Sequence, residues 1–183
     1  LVCSKSFTTQ ETLTNATSAL RWLTGALGSD AVCGHFAALT AKPEAAKAFG
    51  IAAQHIFPMW DWVGGRFSLW SAAGLPSALA MGWSAFAAML DGAHCMDRHF
   101  RDAPLALNLP VRLALAGIWN INMEGLGALA VVPYDERLRS LPAFIQQLDM
   151  ESNGKGVTQT GAPLDTAAAP IVFGLAGTNA QHS

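Results

Sequence analysis

Between Phe67 and Leu90 the chain carries no charged side chain, and this stretch limits its possible folds more than any other feature. As one helix, a segment of this length would reach across the hydrocarbon core of a bilayer. Its composition argues against that. It holds seven alanines, four serines, two glycines and Pro76, and alanine contributes far less transfer energy than leucine. Gly82 followed by Ser84 reads as one helix stopping and another being capped. Two helices buried in a protein core are expected, at about 67–81 and 84–101, and no membrane partner.

The surrounding pattern points to an α/β chain with parallel strands. Short apolar runs at Leu1–Cys3, His35–Leu39, Ala128–Val132 and Pro170–Phe173 have strand length, and Ile56–Val63 reads as an extended aromatic segment. Between them, Leu13, Ala16, Leu20, Leu23 and Leu27 recur at helical spacing, closed by Gly28. Pro43–Phe49 reads as a small surface helix. A further helix is expected at 110–123, and Leu138, Leu141, Ile145 and Leu148 mark another that Pro142 starts or kinks. Strands alternating with helices imply parallel pairing. No repeat of 20–50 residues is visible.

Charge narrows the function. Eleven basic and thirteen acidic residues among 183 give a net charge of −2, which offers no basic excess for a phosphate backbone and excludes a typical nucleic-acid binder. Apolar residues reach 51%, too many for a disordered chain. Cys3, Cys33 and Cys95 are odd in number and lack CxxC spacing, which fits a reduced, cytoplasmic protein better than a disulfide framework. The chain starts without Met and stops in a loop-like stretch, so it reads as an internal piece of a longer protein. Leu1-Val2-Cys3 lacks the marks of a signal peptide.

Three polar segments are candidates for chemistry. Ser4-Lys5-Ser6-Phe7-Thr8-Thr9-Gln10-Glu11-Thr12 carries five hydroxyls and an ammonium ahead of a helix N-terminus, where free N–H groups favour an anion. A helix cap needs one hydroxyl, so the excess suggests a phosphate-monoester site, the alternative being a capped helix with a polar entry loop. Gly64-Gly65-Arg66 lets backbone approach a ligand, with an arginine facing developing negative charge, or is a turn with an exposed arginine. Gln147 and Glu151 share a helix face at i, i+4, and Ser152-Asn153-Gly154 is expected to turn the chain there. Glu151 is then a general base in a cleft, or an ordinary charged helix end. His94 and His99 flank Cys95 and Asp97 without any standard zinc spacing, and helix packing explains them better than metal. His182 lies on a Gly/Thr/Asn loop.

These segments, with Asp61-Trp62-Val63, Phe67-Ser68-Leu69-Trp70-Ser71, Gly92-Ala93-His94, Met96-Asp97 and Asp149-Met150-Glu151-Ser152-Asn153-Gly154-Lys155, resemble the glucose-6-phosphate isomerase family in order and spacing along essentially the whole chain. The resemblance implies two sugar-isomerase (SIS) domains, each a parallel sheet with flanking helices. Residues 1–78 would end the first, and 79–183 would supply linking helices and the start of the second. It implies phosphate ligands at Ser4, Ser6, Thr9 and Thr12 with the Lys5 amide beside them, and sugar-side contacts at Gly65, Arg66 and Gln147. Arg66 would stabilise an enediolate, Glu151 would move the proton between C2 and C1, and His182, from the other subunit of a homodimer, would help open the ring. No metal and no cofactor is implied.

Some positions depart from the family pattern. Ser6 replaces a usual Thr and keeps the hydroxyl, Leu175-Ala176 replaces Glu-Pro, and Ala180 replaces Gly. The family's C-terminal lysine motif does not occur here. Expected from the resemblance is a cytoplasmic enzyme of glycolysis and gluconeogenesis, inactive as this piece alone. The alternative is a non-catalytic SIS-type regulator that binds a sugar phosphate, which would need the hydroxyl loop but not Arg66, Glu151 and His182 together.

Overall fold

Parallel strands need a crossover connection, usually a helix, because a short hairpin cannot return the chain to the same end of a sheet. The computed structural model describes residues 1–29 and 31–178, without the side chains of residues 31 and 33, and both of its sheets are parallel. It contains two compact units, Leu1–His94 and Cys95–Ser183.

In the first unit β1 (Val2–Cys3), β2 (Ala38–Thr40) and β3 (Ile56–Pro58) form a parallel sheet in that order. Helices α1 (Gln10–Leu27) and α2 (Ala31–His35) cross from β1 to β2, and α3 (Pro43–Ala48) crosses from β2 to β3. The central strand is the driest element: Ala38, Leu39 and Thr40 are each 0% exposed. Ala16 is buried, and Leu13, Leu20 and Leu23 pack their α1 face on the core, as the spacing predicts. Gly28 closes α1 at φ 90°, its N–H donating to Thr24 O at 2.9 Å. Phe49 joins Phe7 and Phe36 in the core, with ring centroids 6.0 and 6.1 Å away.

The strand expected at His35–Leu39 lies further along. His35 ends α2, Phe36 N–H still donates to Val32 O in helical fashion at 3.1 Å, and pairing with β1 opens only at Ala38. The uncharged stretch also differs from expectation. Gly65–Trp70 and Ala72–Gly74 are 3₁₀ turns, followed by α4 (Leu75–Met81), Gly82 at φ 84°, and α5 (Trp83–Asp102). No helix among the described residues is long and apolar enough to cross a membrane. The two helices are not buried as predicted, since only Gly74 and Phe86 of this stretch are. Gly74 is needed there, because a Cβ would collide with Leu69 O and lie 2.6 Å from Phe86 Cζ.

In the second unit β4 (Ala128–Ala130) pairs in parallel with β5 (Ile171–Phe173). The expected 110–123 helix resolves into α6 (Leu109–Ile118) and a π-helical turn, Trp119–Met123. Buried Asn108 caps α6: its Oδ1 accepts from Val111 N–H at 3.3 Å, and its Nδ2 donates to Phe100 O at 2.7 Å. The helix expected from Leu138 to Leu148 is instead a 3₁₀ turn (Glu136–Leu138), then α7 (Leu141–Ile145) with Pro142 in its first turn, then a π helix (Gln146–Glu151). Asp135 caps the 3₁₀ turn, and hydrogen bonds from the Arg137 side chain hold its carboxyl below the ordinary range.

Candidate active site

In a parallel sheet the loops leaving the carboxyl ends of the strands emerge on one edge, and ligands bind there. Here that edge collects Ser4–Thr9 after β1, Ala41 and Lys42 after β2, and Met59–Arg66 after β3. The hydroxyl loop is pinned to β2 through its backbone. Ser4 N–H donates to Leu39 O at 3.1 Å, while Lys5 O accepts from Ala41 N–H at 3.0 Å and from Thr40 Oγ1 at 3.1 Å. Ser4 is buried and its Oγ donates to Thr9 Oγ1 at 3.2 Å; Ser6 Oγ and Thr8 Oγ1 share a hydrogen bond of 2.7 Å.

Thr9 is the N-cap residue of α1, yet its side chain makes no capping hydrogen bond. Thr12 lines a groove of about 610 Å³ with Val2, Asn15, Trp22 and Phe36. Phe7, buried at 4% exposure, takes φ 53°, a conformation bulky residues seldom adopt outside a strongly determined site. No sequence signal marks it, since Gly or Asn is the usual choice there.

The Lys5 ammonium reaches across the edge, donating to Asp61 O at 2.5 Å and Val63 O at 3.1 Å. It thereby ties the hydroxyl loop to the segment leading into Gly64-Gly65-Arg66. Gly65 opens the 3₁₀ turn, Ser68 Oγ donates to Gly65 O at 2.7 Å, and nothing lies within 4 Å of where a Gly65 Cβ would be. The space before Gly65 is open to a ligand. Half-buried Arg66 follows it. Beside this loop Trp60, Trp62, Phe67 and Trp70 line an aromatic hollow of about 390 Å³.

In the second unit Gln147 and Glu151 lie in the π helix, not in the α-helix their spacing predicted, and both are exposed. The helix continues through Asn153 before Gly154 ends it, so Ser152 does not turn the chain. Asn153 Nδ2 donates to Asp149 Oδ1 at 2.6 Å, and Lys155 Nζ donates to the Glu151 carbonyl at 2.5 Å. A Cβ on Gly154 would collide with Met150 O, so this tight exit from the helix admits only glycine.

His99 has a structural use, its Nε2 accepting from Leu109 N–H at 3.0 Å. Partial burial raises the Cys3 thiol above its ordinary value, which disfavours a thiolate nucleophile at neutral pH. Leu175 is exposed, and Leu175-Ala176 lies between Gly174 at φ 147° and Gly177 at φ 95°. His182 and Ala180 lie outside the described residues.

Comparison with known proteins places the chain. A family model described as phosphoglucose isomerase matches residues 1–183. The chain belongs to that family. It is 55% identical over 183 residues to the glucose-6-phosphate isomerase of Mesorhizobium japonicum, covering 100% of this chain and 34% of that protein. Identity to the Brucella ovis protein of the same name is 53%, covering 100% and 33%. The chain thus spans about a third of the length of these curated relatives. The crystal structure of a glucose-6-phosphate isomerase from Chlamydia trachomatis superposes with a TM-score of 0.84 at 34% identity, covering 99% of this chain and 35% of that one. That of a hypothetical protein from Thermus thermophilus gives 0.79 at 32% identity, covering 100% and 42%. The expected α/β class with parallel strands is the fold of these relatives.

Proposed function

We propose that the protein carrying this sequence is an aldose–ketose isomerase that interconverts glucose 6-phosphate and fructose 6-phosphate through a cis-enediolate. The observation that carries this reading is 55% identity, over every residue of the chain, to a protein named for that activity. The chemistry fits the residues. The phosphate tether falls to Ser4, Ser6, Thr9 and Thr12, the Lys5 amide, and the first turn of α1, whose N–H groups the Thr9 side chain leaves uncapped. Binding through this non-reacting end holds the sugar for proton transfer.

Glu151 is the base that carries the proton between C2 and C1. Arg66 stabilises the charge that builds on oxygen, because a guanidinium stays protonated beside it. Gly65 and Gln147 contact the sugar, and His182, reaching in from the second subunit of a homodimer, opens the ring. In this reading residues 1–78 complete one SIS domain, residues 79–183 supply linking helices and begin the next, and the full-length enzyme works in the cytoplasm, in glycolysis and gluconeogenesis, without metal or cofactor.

The test is Glu151→Gln in the full-length protein. This keeps the side-chain shape and removes its basicity. Turnover should fall about a hundredfold or more, and exchange of the C2 hydrogen with solvent deuterium should fall with it, while sugar-phosphate affinity stays nearly intact. Exchange at the wild-type rate would refute the assignment.

A further inference from the structure

The π helix that carries Gln147 and Glu151 is fixed to β5 by two side chains, and both contacts fall on one strand residue. Ile171 N–H donates to Gly127 O and Val131 N–H donates to Phe173 O, each at 2.8 Å, so residues 171 and 173 face β4. By the alternation of a strand, the N–H and C=O of Val172 face the opposite edge. There Gln146 Nε2 donates to Val172 O at 2.9 Å, and Val172 N–H donates to Met150 Sδ at 3.3 Å. Val172 is 1% exposed, so neither backbone group has water as a substitute partner. Gln146 and Met150 each immediately precede a candidate site residue, Gln147 and Glu151. Docking the first pair on β5 therefore sets the rotation of the helix about its axis, and with it the direction of the second pair, roughly a quarter turn further round. The arrangement spans 26 residues of sequence in the Gln146 contact alone.

We propose that Gln146 is a positioning residue for the isomerisation: by docking the π helix on the edge of β5 away from β4, with Met150 as the second contact, it aims the Glu151 carboxylate at the substrate carbon. The inference rests on the reading of Glu151 as the proton-transfer base. A base must lie within a fraction of an ångström of its productive position, and a small displacement costs rate far more than affinity. A glutamine suits this place because its amide donates to a carbonyl without introducing a charge beside the strand.

The test uses the full-length enzyme with Gln146→Met, which keeps the length of the side chain and removes its donor, and with Met150→Leu, which keeps volume and removes only the sulfur acceptor. Gln146→Met should lower kcat and C2–deuterium exchange together by about tenfold, with KM for fructose 6-phosphate and the affinity of a non-reacting sugar-phosphate competitor within about twofold of wild type. Met150→Leu should fold normally and show the same pattern at about two- to threefold. In the Glu151→Gln background Gln146→Met should add no further loss, because it acts through Glu151. Unchanged kcat in both single variants, or a loss that multiplies with that of Glu151→Gln, would overturn the positioning role alone. Wild-type exchange in the Glu151→Gln control would overturn the reading of the base and this inference with it.

Discussion

Replacing Lys5 by Met in the full-length protein removes the ammonium that bridges the hydroxyl loop and the segment before Arg66, while keeping most of the aliphatic stem. Two hydrogen bonds are lost, at 2.5 Å to Asp61 O and 3.1 Å to Val63 O; the first is exposed and the second partly buried. A hydrogen bond from a charged donor contributes about 1.5–3 kcal/mol, exposure places the first at the low end or below, and freeing a lysine side chain returns up to about 2 kcal/mol of entropy. The net loss should be about 1–2 kcal/mol, confined to the Asp61–Arg66 segment. A local opening equilibrium shifted by that much speeds amide exchange roughly five- to thirtyfold. Hydrogen exchange should report it at Val63, whose N–H donates to Trp60 O at 3.0 Å, and at Phe67, whose N–H donates to Gly64 O at 3.1 Å. Met59, bonded to Thr40 O at 3.0 Å in the sheet, should keep its protection. Equal loss at Met59, or none at Val63 and Phe67, would show that the ammonium is not the tie described here.

Other outcomes follow from the same geometry. Thr9→Val and Thr12→Val in the full-length protein should each weaken sugar-phosphate binding by about 1–3 kcal/mol, seen as a higher inhibition constant for a competitor and little change in kcat. Gly174→Ala would drive a Cβ into Val131 O at φ 147°, and should cost about 3–5 kcal/mol in a denaturant titration. Expressed alone, the 183-residue chain should aggregate or bind a hydrophobic dye, and should not isomerise fructose 6-phosphate, because Leu113, Leu115 and Ile118 of α6 are 77%, 59% and 54% exposed; a soluble, active monomer would refute this.

Sequence reasoning reached the elements whose cause is local. The helical spacing of Leu13, Ala16, Leu20 and Leu23, the stop at Gly28, and the apolar run Ile171–Phe173 are visible because spacing, a positive-φ glycine and β propensity all act locally. The start of β2 was not, because His35 and Phe36 look like strand residues and only pairing of Val2 with Ala38 sets where the strand begins. The 3₁₀ turns over residues 65–74 also escaped: Ser71 Oγ accepts from Ala73 N–H at 3.3 Å, and α4 starts afresh at Leu75. In the candidate site, residue types were legible and their partners were not. Lys5 reads as an anion ligand, yet its ammonium binds carbonyls 56 and 58 positions away. The π geometry at Gln146–Glu151 accompanies contacts with Val172 that no local window contains.

The tie between Lys5 and the Asp61–Val63 carbonyls also orders events during synthesis. The hydroxyl loop leaves the ribosome first, but the Thr40 hydroxyl that holds its backbone comes 35 residues later and the Asp61 carbonyl that holds its ammonium 56 residues later. At about 5–20 residues per second, roughly 3–11 s pass before the last of these partners has been made. Through that interval the loop lacks the partners that hold its backbone and its ammonium in the folded chain. In the reading proposed above, an anion held by this loop can therefore stabilise the unit in its final geometry only after the chain beyond β3 has been translated.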